Sequence, residues 1–367
     1  MCLPFDFDEG SNRLVGARSV RQIRMSQFQC VLSTFYCFAM FLLLAIGGLS
    51  TTEKFQASPF FMLNLLACIV RWSNVIGNDA IQIINSFLEF EHSTVKAISS
   101  NTGTTPVAKA MKYFIALILI SLRIISIMQM TLFLFAPCTV PFIVSMSVEC
   151  RGIRTGLGPS RWIGHILDTW ILSHGCYSAA IPVLFVLCVG IVCFLTYFDV
   201  LTSYRRSLRL ITFTHMASCI RLYRSIHLLE KSFNAFLMQR ILPPFMLTCI
   251  GLQIMGLYVC IMHQKDIPIA GLLVFHLLGV DAMICSIFTM ASLVHTKSTN
   301  VLEMLGRTVA GIGKNRKVVR RELKSLTVMN LKFGSNFIDR ETPLNIQSFA
   351  WNQTVSLCLI KSGQGIT

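Results

Sequence analysis

Charge is what this chain has least of: Asp and Glu number 17 in 367 residues, and charged residues of both signs make up only 13%. Soluble domains carry about a quarter charged residues, so an ordinary water-soluble fold is excluded. Motifs that carry chemistry are missing too. The 14 cysteines show no CxxC spacing, and Cys37, Cys188, Cys249 and Cys285 lie inside apolar runs, where a thiol is a small hydrophobe. No nucleophile, base and acid set and no phosphate loop stands where chemistry could use it. The chain is expected not to be an enzyme and to hold no metal or cofactor. Lys and Arg give a formal charge of +15, but they cluster between apolar runs, where they bear on topology. Nucleic acid is therefore not an expected partner.

What the chain does have is hydrophobic length. Hydrophobic residues make up 54% and the mean hydropathy is +0.64. Apolar runs near or above the roughly 18 residues needed to cross a bilayer cover 28–50, 59–76, 113–136, 176–198, 241–262 and 269–294. A seventh stretch, 344–361, is long enough at about 1.5 Å per residue. It nevertheless carries Asn345, Gln347, Ser348, Asn352, Gln353, Thr354 and Ser356, each penalised against lipid tails. Such a helix either lines a wet path or glues its neighbours together. The Asn352-Gln-Thr354 acceptor within it should be inside the membrane and unmodified. The expected fold class is an all-α membrane protein with seven transmembrane helices and cytoplasmic helical extensions.

The links are informative. Arg71, near the end of the second run, is expected to snorkel to the interface. Residues 77–112 read as a loop with a helical extension of the second span, and 137–175 as a loop. Cys138, Cys150 and Cys176 allow one extracellular disulfide in any of three pairs, or three free thiols. Ile220, Tyr223, Ile226, Leu229 and Phe233 recur every three or four residues, the mark of one buried helical face. A second amphipathic helix is read from Lys317 to Phe333, ended by Gly334. Thr342 and Pro343 look like an N-cap and first-turn proline for the last helix.

Topology follows from the basic residues. Of the 32 Lys and Arg, 24 lie in the N-terminal segment and the second, fourth and sixth gaps, six lie on the alternate side, and Arg71 and Arg123 lie within spans. The positive-inside rule then puts the N-terminus in the cytoplasm and the C-terminus outside. Residues 1–27 form a cytoplasmic tail, 28–343 hold six spans with basic loops, and 344–367 hold the last helix and a short outer tail. Arg123 and Asp281 both fall near mid-depth, and an unpaired charge there costs a few kcal/mol, so the two are expected to pair. A G-protein-coupled receptor is the alternative with seven spans. It would run the other way, with an Asp-Arg-Tyr-like triplet after the third span and Asn-Pro-x-x-Tyr in the last, and neither is present. A secondary transporter would call for internal repeats or matched broken spans, which are not evident.

Seven spans, an inside N-terminus, long basic extensions, a nearly absent third outer loop and a very short C-terminal tail resemble the insect chemoreceptor superfamily, gustatory receptors in particular. Family members carry Thr-Tyr, five hydrophobic residues and Gln-Phe near the C-terminus. Here Thr354 to Ser362 keeps the spacing, the threonine and a mostly apolar middle, with Lys361 and Ser362 in the last two places. Phe337 to Leu344 looks like the family's approach to its final helix. The resemblance implies a ligand-gated cation channel for a small-molecule tastant in the plasma membrane. It further implies a homo- or heterotetramer with the seventh helices around the pore and the basic helices packed as an anchor. It also implies a ligand pocket among the outer halves of the third to sixth spans, which offer Met128, Phe133, Tyr177, Phe185, Tyr258, Phe275 and His276. The last helix has two polar faces. Asn345, Ser348, Asn352 and Ser356 form an unbroken stripe that sequence alone would choose as pore lining. The family motif selects Gln347, Thr354, Cys358, Lys361 and Ser362 instead, and that second face is the expected lining. Lys361 in a cation path would put four positive charges around its mouth.

Overall fold

The computed structural model describes residues 5–76, 79–95, 106–146, 159–207, 212–262, 267–309, 316–334 and 336–364. A β-hairpin comes first, β1 (Phe5–Asp8) antiparallel to β2 (Arg13–Gly16). Helices α1 (Val20–Ile46), α2 (Thr51–Ile76) and α3 (Asp79–Phe90) follow, the last prolonged by a π turn, Glu91–Val95. Residues 5–16 are therefore no free tail. Arg13 pairs with Glu89 at 3.1 Å, and the backbone of Leu14 exchanges two 2.8 Å hydrogen bonds with the Asn85 amide, which fastens the hairpin to α3.

Next come α4 (Pro106–Phe135), a short 3-10 turn (Ile143–Met146) and a continuous rod made of α5 (Pro159–Val183), a π turn (Leu184–Val189) and α6 (Gly190–Ser207). Then α7 (Phe213–Phe236) passes through another π turn (Leu237–Ile241) into α8 (Leu242–Met262), followed by α9 (Ile267–Val309) and α10 (Arg316–Lys324). A small hairpin, β3 (Lys332–Phe333) with β4 (Asn336–Phe337), leads into α11 (Thr342–Gln364). Both π turns in the long rods lie beside prolines, Pro182 before the first and Pro243-Pro244 after the second. A proline offers no N–H to the i−4 carbonyl, and the helical ladder loosens there.

Among the described residues, windows in α1, α2, α4, the α5–α6 rod, α8 and α9 are long and apolar enough to cross a membrane. The chain is an all-α multi-pass membrane protein, and α11 has the length of a seventh crossing. The helix that carries the fourth span begins well before Cys176. The rod starts at Pro159, and α5 runs against α4 through Thr169 to Met130 Sδ (3.0 Å), Ser126 to Ser173 (2.8 Å) and Arg123 to Tyr177 (3.2 Å). Residues 159–175 read as a loop because they carry His165, Asp168 and His174. In the fold those polar groups are covered: Asp168 is fully buried and accepts from the Tyr36 hydroxyl (2.8 Å) and the Ile143 N–H (3.1 Å). Cys138 is disulfide-bonded to a partner outside the described residues, and Cys176 is a free thiol.

Arg71 does not snorkel. It is 4% exposed between α1, α2 and α5, donates to Ser33 Oγ (2.9 Å), and lies 3.1 Å from His174 Nδ1. His174 in turn contacts Gln29 through its other ring nitrogen. Polar residues on two neighbouring helices, Gln29 and Ser33 on α1 and His174 on α5, replace the water the guanidinium would otherwise seek.

The end of the molecule that carries most of the Lys and Arg, here the basic end, holds the largest core. α6 is apolar enough for a span because it is the centre of that bundle: Ile191, Phe194, Leu195, Phe198 and Leu201 are almost wholly buried. Its polar positions are engaged, with Lys297 of α9 on Asp199 (2.6 Å) and Arg205 donating to Thr308 (3.0 Å). The face of α7 read from sequence is the one that packs, with Ile220, Tyr223, Ile226, Leu229 and Phe233 all buried. Burial of each is worth about 1.5–3 kcal/mol relative to exposure.

The helix expected from Lys317 to Phe333 stops at Lys324. Beyond it the chain runs extended, because side chains of other helices take over its backbone bonds. The Tyr223 hydroxyl donates to the Thr327 carbonyl (2.8 Å), the Met329 N–H donates to Ser298 Oγ (2.9 Å), and Asn234 Nδ2 donates to the Asn330 carbonyl (2.8 Å). Gly334 turns the β3–β4 hairpin at φ +57° and does not end a helix. Tyr223→Phe keeps the ring, removes the donor to the Thr327 carbonyl and takes from the fully buried Ser298 hydroxyl its 2.7 Å partner. We expect a lower unfolding temperature, from a loss of about 1–3 kcal/mol, when purified protein is melted beside the unmodified chain.

Candidate functional site, the last helix and its neighbours

Asp339 sets the start of α11. Its Oδ1 accepts from the backbone N–H groups of Glu341 (3.2 Å) and Thr342 (2.8 Å) and from the Thr342 hydroxyl (2.6 Å). The Asp339 N–H donates back to Thr342 Oγ1 (3.0 Å). The Thr342 hydroxyl, with these backbone donors, holds the carboxyl below its usual range. Thr342 is the first helical residue and not the cap expected from sequence. Asp339 meets the donors that a helix start leaves open.

One face of α11 is covered by the rest of the chain. Ile346, Ala350 and Thr354 are buried (7%, 1% and 0% exposed), one per turn. They lie where α11 packs on α8 and α9. Thr354 donates to the Ala350 carbonyl (2.8 Å) and approaches that of Ile254 in α8 (3.4 Å). Gln347 donates to Cys285 Sγ of α9 (3.2 Å). Cys358 and Leu357 pack against Tyr258 and Val259. Of the expected lining residues, Thr354 is buried, and Gln347 and Cys358 are half-buried and in contact with α9 and α8. The side chains of Lys361 and Ser362 lie outside the described residues.

The opposite face is bare. Asn345, Ser348, Asn352 and Ser356 are all exposed along about 16 Å of helix. Exposed Phe349, Trp351, Val355, Leu359 and Ile360 share the open surface with them. A membrane-length helix with a polar stripe aimed away from its own subunit is a surface that needs water or further protein beside it.

The expected pocket residues do not gather at one place. Met128 and Phe133 join a cluster with Tyr36, Met40, Phe60 and Phe142, in which Phe133 meets Phe142 edge-on (4.8 Å) and stacks on His165 (4.5 Å). Tyr177 lies along the same α4–α5 seam, accepting from Arg123 Nε. Tyr258 is elsewhere, on α8, tilted against Phe55 (4.3 Å between ring centres). The side chains of Phe185, Phe275 and His276 fall outside the described residues.

The expected Arg123–Asp281 ion pair is not formed. Arg123 turns to Tyr177, and Asp281 accepts from Gln253 of α8. An exposed guanidinium bonded to one phenol and a carboxylate bonded to an amide each avoid isolation without the other. Sequence reading passed over Gln253, an amide inside an apolar run, and likewise Gln129. The Gln129 side chain is 2% exposed, and neither of its polar atoms has a hydrogen-bond partner in the structure.

These features define a multi-pass all-α membrane protein whose last helix is polar, capped at the basic end and half covered by its own chain. The particular likeness is to insect olfactory receptor OR5 from Machilis hrabei. Its structure in complex with eugenol matches with a TM-score of 0.71 at 11% identity over 97% of this chain and 94% of that one. A second OR5 structure matches with a TM-score of 0.70 at 11% identity over 97% and 92%. No family profile and no curated protein matches the chain. At this identity the likeness is one of fold.

Because Arg123 and Asp281 have separate partners, the double substitution Arg123→Gln with Asp281→Asn should be additive. The two single shifts in unfolding free energy should sum to the double shift within about 0.5 kcal/mol, and a larger coupling would restore the pair.

Proposed function

We propose that this chain is a gustatory-type member of the insect chemoreceptor superfamily. In this reading it is a subunit of a ligand-gated cation channel of the plasma membrane, with four copies placing their α11 helices around one pore. The basic end is cytoplasmic, with the N-terminus on that side and the C-terminus outside, as the distribution of Lys and Arg supports. The fold likeness to OR5 over nearly the whole chain supports the channel class. The observation that carries the reading is the exposed stripe Asn345, Ser348, Asn352 and Ser356 on a helix of membrane length. We assign that stripe to the pore, in place of Gln347, Thr354 and Cys358, and keep Lys361 and Ser362 at the outer mouth.

Accessibility to a charged thiol reagent decides between the faces. Ser348→Cys and Ser356→Cys should give ligand-evoked currents that a methanethiosulfonate blocks, and Thr354→Cys should give current indifferent to it. The reverse pattern would return the pore to the covered face.

A small-molecule ligand is supported by the OR5 structure that holds eugenol. We place its site along the α4–α5 seam near Met128, Phe133 and Tyr177, with Phe185, Phe275 and His276 as further proposed contacts and Tyr258 on the side facing α11. Gln129 supplies a polar handle, since a buried amide without partners is costly unless something meets it. Gln129→Leu should abolish or strongly weaken the ligand response while leaving the unfolding temperature equal or higher. A normal response in that variant would remove Gln129 from the site.

A further inference from the structure

Where the π turn joins α5 to α6, a cleft of about 340 Å³ opens beneath the N-terminal hairpin. Phe5 and Leu14 form its roof, Ile81, Ile84 and Leu88 of α3 one wall, and Val186 and Val189 its floor. Its size falls within the range of ligand pockets, about 300–1,000 Å³. The floor is the π turn between α5 and α6, a distortion that recurs at functional sites. The roof is not packed down into the space. Polar bonds along the rim, Arg13 to Glu89 and Leu14 to Asn85, hold it in place.

The lining selects the occupant. It is apolar almost throughout, mostly Leu, Ile and Val with Phe5 and Phe87 beside them, and Glu91 is the carboxyl among its residues. Arg13, the basic residue at the rim, already pairs with Glu89. An anionic head would meet Glu91 and find no free cation among these rim groups, so fatty carboxylates and phosphates are disfavoured. Beyond Leu88, which lines both spaces, a second hollow of about 390 Å³ has mostly polar residues on its walls, Ser11, Asn12, His92 and Ser93 with the mutually paired Arg13 and Glu89. We propose that the cleft is a second ligand site, which takes an uncharged alkyl chain and directs a neutral polar end, such as a hydroxyl, into the adjoining hollow. The chain would touch the hairpin, α3 and the turn into α6 at once. It would therefore bias how the membrane part of the fourth rod sits on the basic-end bundle.

The probe is a diazirine-bearing octanol, photolysed with the full-length protein in phosphatidylcholine nanodiscs and mapped by peptide mass spectrometry. Label should concentrate in peptides covering 80–91 and 186–193 and be displaced by excess octanol. Ile84→Trp fills the wall, and Leu14→Trp independently fills the roof. Each should cut that labelling about tenfold or more while eluting as the unmodified protein does, and one well-behaved variant suffices. Two sources of alkyl chain are then separated. Labelling that rises in delipidated detergent and falls when phosphatidylcholine is restored identifies a lipid tail, and labelling indifferent to lipid identifies a free ligand. Label spread over the outer faces of α1 and α4, or unchanged by both tryptophans, overturns the proposal.

Discussion

A helix too polar for lipid has to be surrounded, and the rest of this chain is arranged to meet that demand. α8 and α9 cover the side of α11 that carries Ile346, Ala350 and Thr354. The polar groups on that side are met within the subunit, by a carbonyl for Thr354 and a thiol for Gln347. The stripe on the other side is left uncovered, with Ser356 bonded back to the Asn352 carbonyl (2.9 Å). Half-coverage is the decisive feature, because a helix serving only as glue inside one subunit would be covered all round. The fold thus leaves that half of the helix on the outer surface of the chain.

The basic-end bundle fixes where that surface points. α11 is reached through a strap that makes no continuous helix of its own. Tyr223, Ser298 and Asn234 hold it by its backbone, and Asp339 then starts the helix. Each of these side chains sits on an element rooted in the same core as α6. A movement of the long rods against one another would reach α11 through these few hydrogen bonds and through the α8–α11 face. The strap is extended because its partners are backbone-directed. Had residues 325–331 stayed helical, their carbonyls and N–H groups would have been satisfied internally, and the knot to α7 and α9 would not exist.

The parts of this arrangement legible in the sequence are those where a residue's neighbours are local. The face Ile220 to Phe233 was readable because helical periodicity alone decides it, and the polarity of α11 because it contradicts its length. The start of the fourth rod was not readable. His165, Asp168 and His174 look like loop residues until Tyr36, the Ile143 N–H and Arg71 are brought to them from elsewhere in the chain. Arg71 and Asp281 were misread for the same reason. Depth suggested that they needed an interface or an opposite charge, whereas neutral groups, Ser33 with His174 for one and Gln253 for the other, were within reach. Sequence depth says that a charge needs a partner, and only packing says which.

The choice between the two faces of α11 is instructive in the same way. The unbroken stripe of Asn and Ser was visible from angular spacing, but a short C-terminal motif argued for the other face. The structure buries Thr354 and leaves the Asn and Ser stripe exposed, and packing alone accounts for a threonine at that place. Thr354 is fully buried, where its hydroxyl bonds back to Ala350 and reaches toward Ile254 across the α8 contact. A small hydroxyl that lets two helices approach closely is constrained by packing as tightly as one that meets an ion. A shared threonine therefore marks a close helix contact at least as readily as a pore. What a water-filled path requires is a run of neutral oxygens and amides spaced one turn apart and left uncovered, and that is the surface built by Asn345, Ser348, Asn352 and Ser356.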